Sequence, residues 1–215
     1  MKILSILTVL ILSLYFGNSS PVLAQKWTIG PHIIVSLPQS DFANVSSAGG
    51  GIGIKGIYRV SKLGNLSIRS DFGFISYGSK LETLDNFRGV PNVVAETRNE
   101  SFRLLFGPQV TFGSSHIKFN LATMGGFYFY RTLVTVPSFF GPISESRDDT
   151  AELGWSLGGG VQYDIGLGPW LDFAVEYHTI KNVPAPALEG AEGQTVNIDA
   201  NDISLKFGVV FFIGR

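Results

Sequence analysis

From Phe102 to Phe112 the chain changes character at every step. Phe102, Leu104, Phe106, Pro108, Val110 and Phe112 hold the even positions, and Arg103, Leu105, Gly107, Gln109 and Thr111 the odd ones. A period of two puts successive side chains on opposite faces of an extended strand. The same alternation closes the sequence, where Ile203, Leu205, Phe207, Val209, Phe211 and Ile213 interleave with Ser204, Lys206, Gly208, Val210 and Phe212. Eight such segments are expected, at 26–37, 50–62, 65–79, 98–113, 116–134, 151–166, 169–181 and 200–213. The chain is 45% apolar and only 15% charged. Yet beyond its amino terminus it has no run near the ~20 apolar residues that a membrane-spanning helix needs. Membrane-like composition without membrane-like helices leaves strands to do the spanning.

The first 24 residues read as a secretory signal peptide. Lys2 gives the basic start, Ile3 to Phe16 the apolar stretch, Gly17 to Pro21 the break, and Val22-Leu23-Ala24 the small-residue cleavage pattern. The mature chain, 25–215, is then one exported domain. Sixteen basic against 17 acidic side chains exclude the broad cationic field of a nucleic-acid binder. The lack of cysteine excludes disulfides and thiolate metal sites.

Connections alternate in length. Leu63-Gly64, Ser114-Ser115 and Leu167-Gly168 mark tight hairpins. The stretches 38–49, 80–97, 135–150 and 182–199 are long and hold most of the prolines. Short turns at one end and long loops at the other describe an up-and-down antiparallel meander. In outer-membrane barrels the turns face the periplasm and the loops the exterior, and an even strand number puts both termini in the periplasm.

Volume decides which face is outside. The apolar parity carries about forty large side chains, whereas three layers of four fill a packed parallel barrel, and an eight-stranded interior is only just wide enough for side chains. The greasy face must point outward, into lipid. Trp27, Trp170 and Tyr163 stand where a periplasmic aromatic girdle belongs. The opposite parity supplies Gly154, Ser156, Gly158 and Gly160 for space, and Lys55, Arg59, Arg69, Asp71, Arg103, Lys118, Asp164, Asp172, Glu176 and Lys206 for charge. Depth along each strand groups Arg59, Arg69 and Lys118 with Asp71, Asp164 and Asp172 toward the periplasm. Lys55, Arg103 and Lys206 are grouped with Glu176 toward the outside, with Glu152 and Asp202 near the rim. A closed interior demands such balance, because an unpaired buried charge costs several kcal/mol. The expectation is a packed ionic plug.

These residues resemble the small outer-membrane β-barrel family, the eight-stranded OmpX-like and PorT-like proteins of diderm bacteria, over the whole mature chain. The sharpest element is the last strand. Lys206, Gly208, Phe211 and Ile213 are similar to the family's carboxy-terminal insertion signal, although the chain runs on through Gly214 and Arg215 where the family ends on an aromatic residue. The resemblance implies an outer-membrane location, lipid and lipopolysaccharide as surroundings, and recognition by the barrel assembly machinery. It implies no single activity.

Candidate chemistry is thin. Glu176 and His178 share the inward face, near the expected outer rim. Barrel enzymes that deacylate lipid A place a histidine similarly, but here Thr179, Ile180, Lys181 and Asn182 follow His178, so an isoleucine takes the nucleophile's position. His32 and His116 lack carboxylate or histidine neighbours at ligand spacing, so no metal is expected. Asp148-Asp149 with Glu145 reads as a solvated acidic loop. Gly49-Gly50-Gly51 and Gly158-Gly159-Gly160 are strand glycines rather than phosphate loops, and no cofactor is expected. The expected function is structural or surface-interacting through four long loops, with an extracellular ligand as their partner. The alternatives are a narrow channel and a lipid A-modifying enzyme.

Overall fold

The computed structural model describes residues 27–60, 65–87, 90–136, 144–166, 168–186 and 195–213. The signal peptide expected at 1–24, the Leu63-Gly64 turn and Leu167 lie outside them. Among the described residues nine strands form: β1 (Trp27–Gln39), β2 (Gly49–Arg59), β3 (Leu66–Tyr77), β4 (Lys80–Phe87), β5 (Val90–Gly113), β6 (Ile117–Val136), β7 (Ser144–Asp164), β8 (Trp170–Pro186) and β9 (Thr195–Ile213). A single helical turn, α1 (Phe42–Val45), follows β1. Every neighbouring pair is antiparallel, and β1 bonds to both β2 and β9, with Trp27 registered against Tyr58 on one side and Ile213 on the other. That pairing closes the sheet. Because β3 also pairs with β5, the ring has eight staves, and β4 continues β3 along the far half of β5 after a break at Gly78-Ser79. Closure removes the sheet edges that hydrocarbon cannot satisfy.

The strands run well past the expected segments. The supposed loop 80–97 is strand on both sides of residues 88–89. β6 reaches Val136, β7 starts at Ser144, β8 continues through Pro186 and β9 begins at Thr195. The expected long loops at 80–97, 135–150 and 182–199 are therefore largely ladder. The pairings Lys80↔Thr97, Val136↔Ser144 and Pro186↔Thr195 extend three hairpins beyond the barrel. At the opposite end the β5–β6 turn is tight. Between β5 and β6 the amide of Ser114 donates to the carbonyl of Ile117 at 2.8 Å. Gly113 supplies the positive φ of +126° that this turn requires.

Burial follows parity. β1 alternates exposed and buried over eleven residues, with Thr28, Gly30, His32, Ile34 and Ser36 inside and Trp27, Ile29, Ile33 and Val35 among those outside. Phe72, Phe102, Phe106, Phe119, Phe127, Leu157 and Phe207 are among the exposed large residues. So wide an apolar belt is intolerable in water and natural in lipid. Its outer limit on one side is marked by a cross-strand ladder, Glu100–Arg131–Asp149, the three residues lying directly opposite one another on β5, β6 and β7 at 3.5 and 3.0 Å. Asp149, expected in a solvated loop, is a rung of this ladder. Trp27 and Tyr163 face outward as a girdle would. Trp170 does not. It shares the inward parity of Asp172, is only 8% exposed, and floors the turn end against Phe212, ring centroids 5.5 Å apart.

Candidate functional site

The lumen is filled by side chains. Among the described residues its buried charges are four cations, Lys55, Arg69, Arg103 and Lys206, and four carboxylates, Asp71, Asp172, Glu176 and Asp202. Arg69 binds both Asp71 and Glu176 at 2.6 Å. Lys206 makes the same bridge from the other side, at 2.9 Å to Asp71 and 2.7 Å to Glu176. Two cations and two carboxylates from β3, β8 and β9 thus form one closed ring of ion pairs. Lys55 on β2 pairs with Asp172 on β8, which also accepts from Gln162 at 3.0 Å. Arg103 donates to Ser204 at 3.0 Å and stands 3.8 Å from Asp202, while Ser204 donates to Asp202 at 2.8 Å.

Register explains how so many long side chains fit. Arg103 lies opposite Gly73, Glu176 opposite Gly158, His32 opposite Gly53, and Asp172 opposite Gly208. A Cβ on Gly158 would stand 2.4 Å from Glu176 Cγ, and one on Gly53 would stand 2.5 Å from His32 Nε2. Arg103, Glu176 and His32 each lean over a neighbour with no side chain, so these glycines are the complement of the lumen's bulky polar groups.

The grouping differs from the sequence expectation. Lys55 meets Asp172 rather than Glu176, and Arg69 and Asp71 join Glu176 and Lys206 instead of a separate periplasmic set. Parity follows from the period of two, whereas relative depth depends on the stagger between tilted strands. Arg59, Lys118 and Asp164 stay outside the network, at the turn end. The Lys118 ammonium lies 4.2 Å from the centre of the Trp170 ring, and Asp164 accepts the Gly166 amide at 2.8 Å. Glu176 and His178 are not at a rim, being 1% and 0% exposed. His178 Nδ1 is hydrogen-bonded to the Tyr128 hydroxyl at 2.8 Å and Nε2 lies 3.5 Å from Glu176, so the imidazole is a wedge in the plug. His32 is buried, with Nε2 3.8 Å from Asp71, and His116 meets Ser115 Oγ at 2.9 Å in the β5–β6 turn.

Above the ions the lumen turns apolar. Ile34, Ile75, Leu105, Met124, Tyr128, Tyr130 and Ile180 pack together under Phe42 of α1, whose ring is edge-on to Tyr77 at 5.1 Å and to Tyr130 at 5.8 Å. α1 is tied down at two further points. Lys80 Nζ donates to the carbonyls of Ala43 and Asn44, at 2.5 and 2.9 Å, and Asn99 Nδ2 donates to the carbonyl of Val45 and to Ser46 Oγ. This cap was not anticipated. The signal for its apolar socket was visible as runs in which both parities are apolar, Leu104-Leu105-Phe106 and Phe127-Tyr128-Phe129-Tyr130. No group of three or more His, Asp or Glu residues arranged to hold a metal occurs among the described residues.

A closed eight-stave antiparallel barrel with an apolar outside and an ion-filled inside is the architecture of a transmembrane β-barrel. The sequence pattern of the outer membrane protein beta-barrel domain matches residues 10–211, and the chain belongs to that family and to the outer membrane. No curated protein sequence matches it. Solved structures share the fold. Ail, the attachment invasion locus protein of Yersinia pestis, aligns with a TM-score of 0.52 at 13% identity, covering 88% of this chain and 100% of that one. Neisserial surface protein A gives 0.51 at 16% identity, with 88% and 99% covered. A major outer membrane protein of Thermus thermophilus gives 0.51 at 13%, with 87% and 99% covered.

Proposed function

We propose that this outer-membrane barrel is non-catalytic and non-conducting, and that it works through the strand extensions at its outer end. The observation that carries this reading is the sealed lumen. A charge-balanced plug fills the middle and Phe42 closes the apolar layer above it, so neither ions nor a substrate have a route to Glu176 or His178. What remains available is the outer surface, where β4–β5, β6–β7 and β8–β9 project as paired hairpins. In this reading the short-turn end and both termini are periplasmic, a leader at 1–24 is removed on export, and an extracellular ligand meets the hairpins. Lys206, Gly208, Phe211 and Ile213 on β9 serve as the signal read by the barrel assembly machinery.

Planar-bilayer recording on the folded barrel tests the seal. Silence at the single-channel level is the expected result, and steady nanosiemens openings would make the protein a channel. Lipid A profiles by mass spectrometry, with and without expression, are expected to be identical. A missing or moved acyl chain would restore the enzyme alternative.

A further inference from the structure

β7 and β8 part before either ends. Their last pairing is Gly154 with Ile180, yet β7 continues from Leu153 to Ser144 with β6 on one side and, among the described residues, no strand on the other. The cause lies in β8. Ile180 faces Ala200 and Val183 faces Ile198, so Lys181 and Asn182 together oppose Asp199, a β-bulge of the kind that bends a strand and ends local pairing. Beyond the bulge Pro184 and Pro186 are still paired with β9, at Asn197 and Thr195. A proline fits a ladder where its missing N–H points away from the partner strand, so both turn a donor-free edge toward β7. β8 is thereby blunted and does not close the notch. β7 has no proline between Ser144 and Leu153, and its edge keeps its donors and acceptors.

Charge decides what such an edge accepts. Between Ser144 and Leu153 the chain carries Glu145, Asp148, Asp149 and Glu152 against the single cation Arg147. Asp149 is engaged by Arg131 at 3.0 Å. Asp148, Thr150 and Glu152 lie on the other face, which continues the lumen, and all three are half-buried. Thr150 donates to Glu152 at 3.4 Å, whereas Asp148, across from Thr132, has no ion pair among the described residues.

We infer that the β7 edge takes up an extended cationic peptide segment as an added strand in this notch, with basic side chains opposite Asp148 and Glu152. Residues four apart on a strand share a face, so a segment with lysine or arginine at i and i+4 meets both carboxylates whichever way it runs. Main-chain bonds along the edge supply affinity, and the alternate side chains supply selectivity. A second copy of this chain is a poor occupant, because pairing β7 with β7 sets Asp148, Asp149 and Glu152 of one chain against those of the other. The inference rests on the reading of the hairpins as the working surface, and gives one of them its partner.

Fluorescence anisotropy of a labelled peptide of alternating threonine and lysine, titrated with the detergent-folded full barrel, tests this. Saturable binding is expected at low salt and should weaken as salt is added. The matching threonine–glutamate peptide should not bind. The fully N-methylated threonine–lysine peptide keeps the charge and loses every amide donor, so it should bind at least about tenfold more weakly. Asp148→Lys with Glu152→Lys should weaken the parent peptide by about tenfold or more. Glu82→Lys on β4, the other edge strand, should leave it unchanged. Heat-dependent gel migration shows that each variant is closed, and Asp148→Asn gives the same readout if the double variant fails to fold. Amide exchange needs no variant: bound peptide should slow alternate amides between Ser144 and Leu153 and leave β4 as it was. Equal binding of the N-methylated peptide would reduce the contact to charge and overturn strand addition. No binding by the wild type, unchanged binding in the folded double variant, or a loss in Glu82→Lys overturns the site. Concentration-dependent dimers that protect β7 without peptide would give the edge to a second copy instead. A barrel silent in the bilayer that ignores the peptide refutes this inference alone, whereas one that conducts and still binds it refutes only the seal.

Discussion

Lys55 of β2 and Asp172 of β8 form an ion pair across the lumen, from staves with β1 and β9 between them, and neither side chain is more than 3% exposed. Breaking such a pair on one side strands a charge, typically at a cost of about 3–5 kcal/mol. Lys55→Met or Asp172→Asn is therefore expected to lower barrel stability by that amount in urea unfolding from lipid vesicles. The pair Lys55→Met with Asp172→Leu should recover most of it, because both charges go together and only the Gln162 amide loses its acceptor. A double variant as weak as the sum of the singles would show that the two groups act independently.

The outward face is tested by one substitution in two solvents. Phe106 is 52% exposed within the apolar belt, and Leu81 is 68% exposed on β4, beyond the barrel. Phe106→Arg should cost about 2–4 kcal/mol near the midplane. Leu81→Arg should change stability by less than about 0.5 kcal/mol, as surface substitutions in water do. Comparable losses at both positions would mean that β4 also sits in lipid.

The glycine complement of the plug gives a sharper contrast. A methyl on Gly158 would meet Glu176 Cγ at 2.4 Å and the Val175 carbonyl at 2.7 Å, whereas one on Gly50 meets nothing within 4 Å. Gly158→Ala is expected to destabilise by about 1–3 kcal/mol through overpacking. Gly50→Ala, also in a strand, should be neutral or slightly stabilising. Equal effects in thermal or urea unfolding would show that the lumen has slack at Glu176.

These contrasts also show what the sequence made legible. Wherever lipid and a packed lumen face opposite sides of a strand, the period of two is unavoidable, and Phe102 to Phe112 displays it without ambiguity. Past the Glu100–Arg131–Asp149 ladder that constraint ends, so Ser144 to Thr150 is polar throughout, and nothing in it distinguishes a strand from a loop. The ladder there is held by register with β6. Trp170 misled for a related reason. An aromatic at a strand start belongs equally to a girdle or to a floor, and only the parity shared with Asp172 decides. The sequence puts Lys55 on the inward face but does not identify Asp172 as its partner, because stagger is a property of the closed ring rather than of any one strand.

Phe42 supplies a prediction about dynamics. The helical turn it anchors is short, the amides of Ala43, Asn44 and Ser46 donating hydrogen bonds to the carbonyls of Ser40, Asp41 and Phe42, each at 3.0 Å. One turn has no stability of its own. Phe42→Ala removes the group that seats it, a loss of about 3–5 kcal/mol for a buried phenylalanine. Amide exchange at Ala43, Asn44 and Ser46 should accelerate by two or more orders of magnitude, with β-ladder amides such as those of β6 unchanged. Unaltered protection at α1 would transfer its anchoring to Lys80 and Asn99.

The last strand separates assembly from stability. Phe211 and Phe119 are matched outward phenylalanines, 45% and 47% exposed, on β9 and β6. In lipid each loses similar apolar contact on truncation, so an equilibrium unfolding experiment should rank Phe211→Ala and Phe119→Ala together. If β9 carries the insertion signal with Lys206, Gly208 and Ile213, the two variants part company in the cell. Phe211→Ala should reduce the heat-modifiable fraction in the outer membrane several-fold, and Phe119→Ala should leave it near wild type. Phe211 is registered with Ile29 at the ring-closing β1–β9 seam, so closure itself must be excluded as the cause. Ile29→Ala weakens the same seam from the other side without touching β9. A drop shared by Phe211→Ala and Ile29→Ala would assign the defect to ring closure, and a drop confined to Phe211→Ala assigns it to recognition.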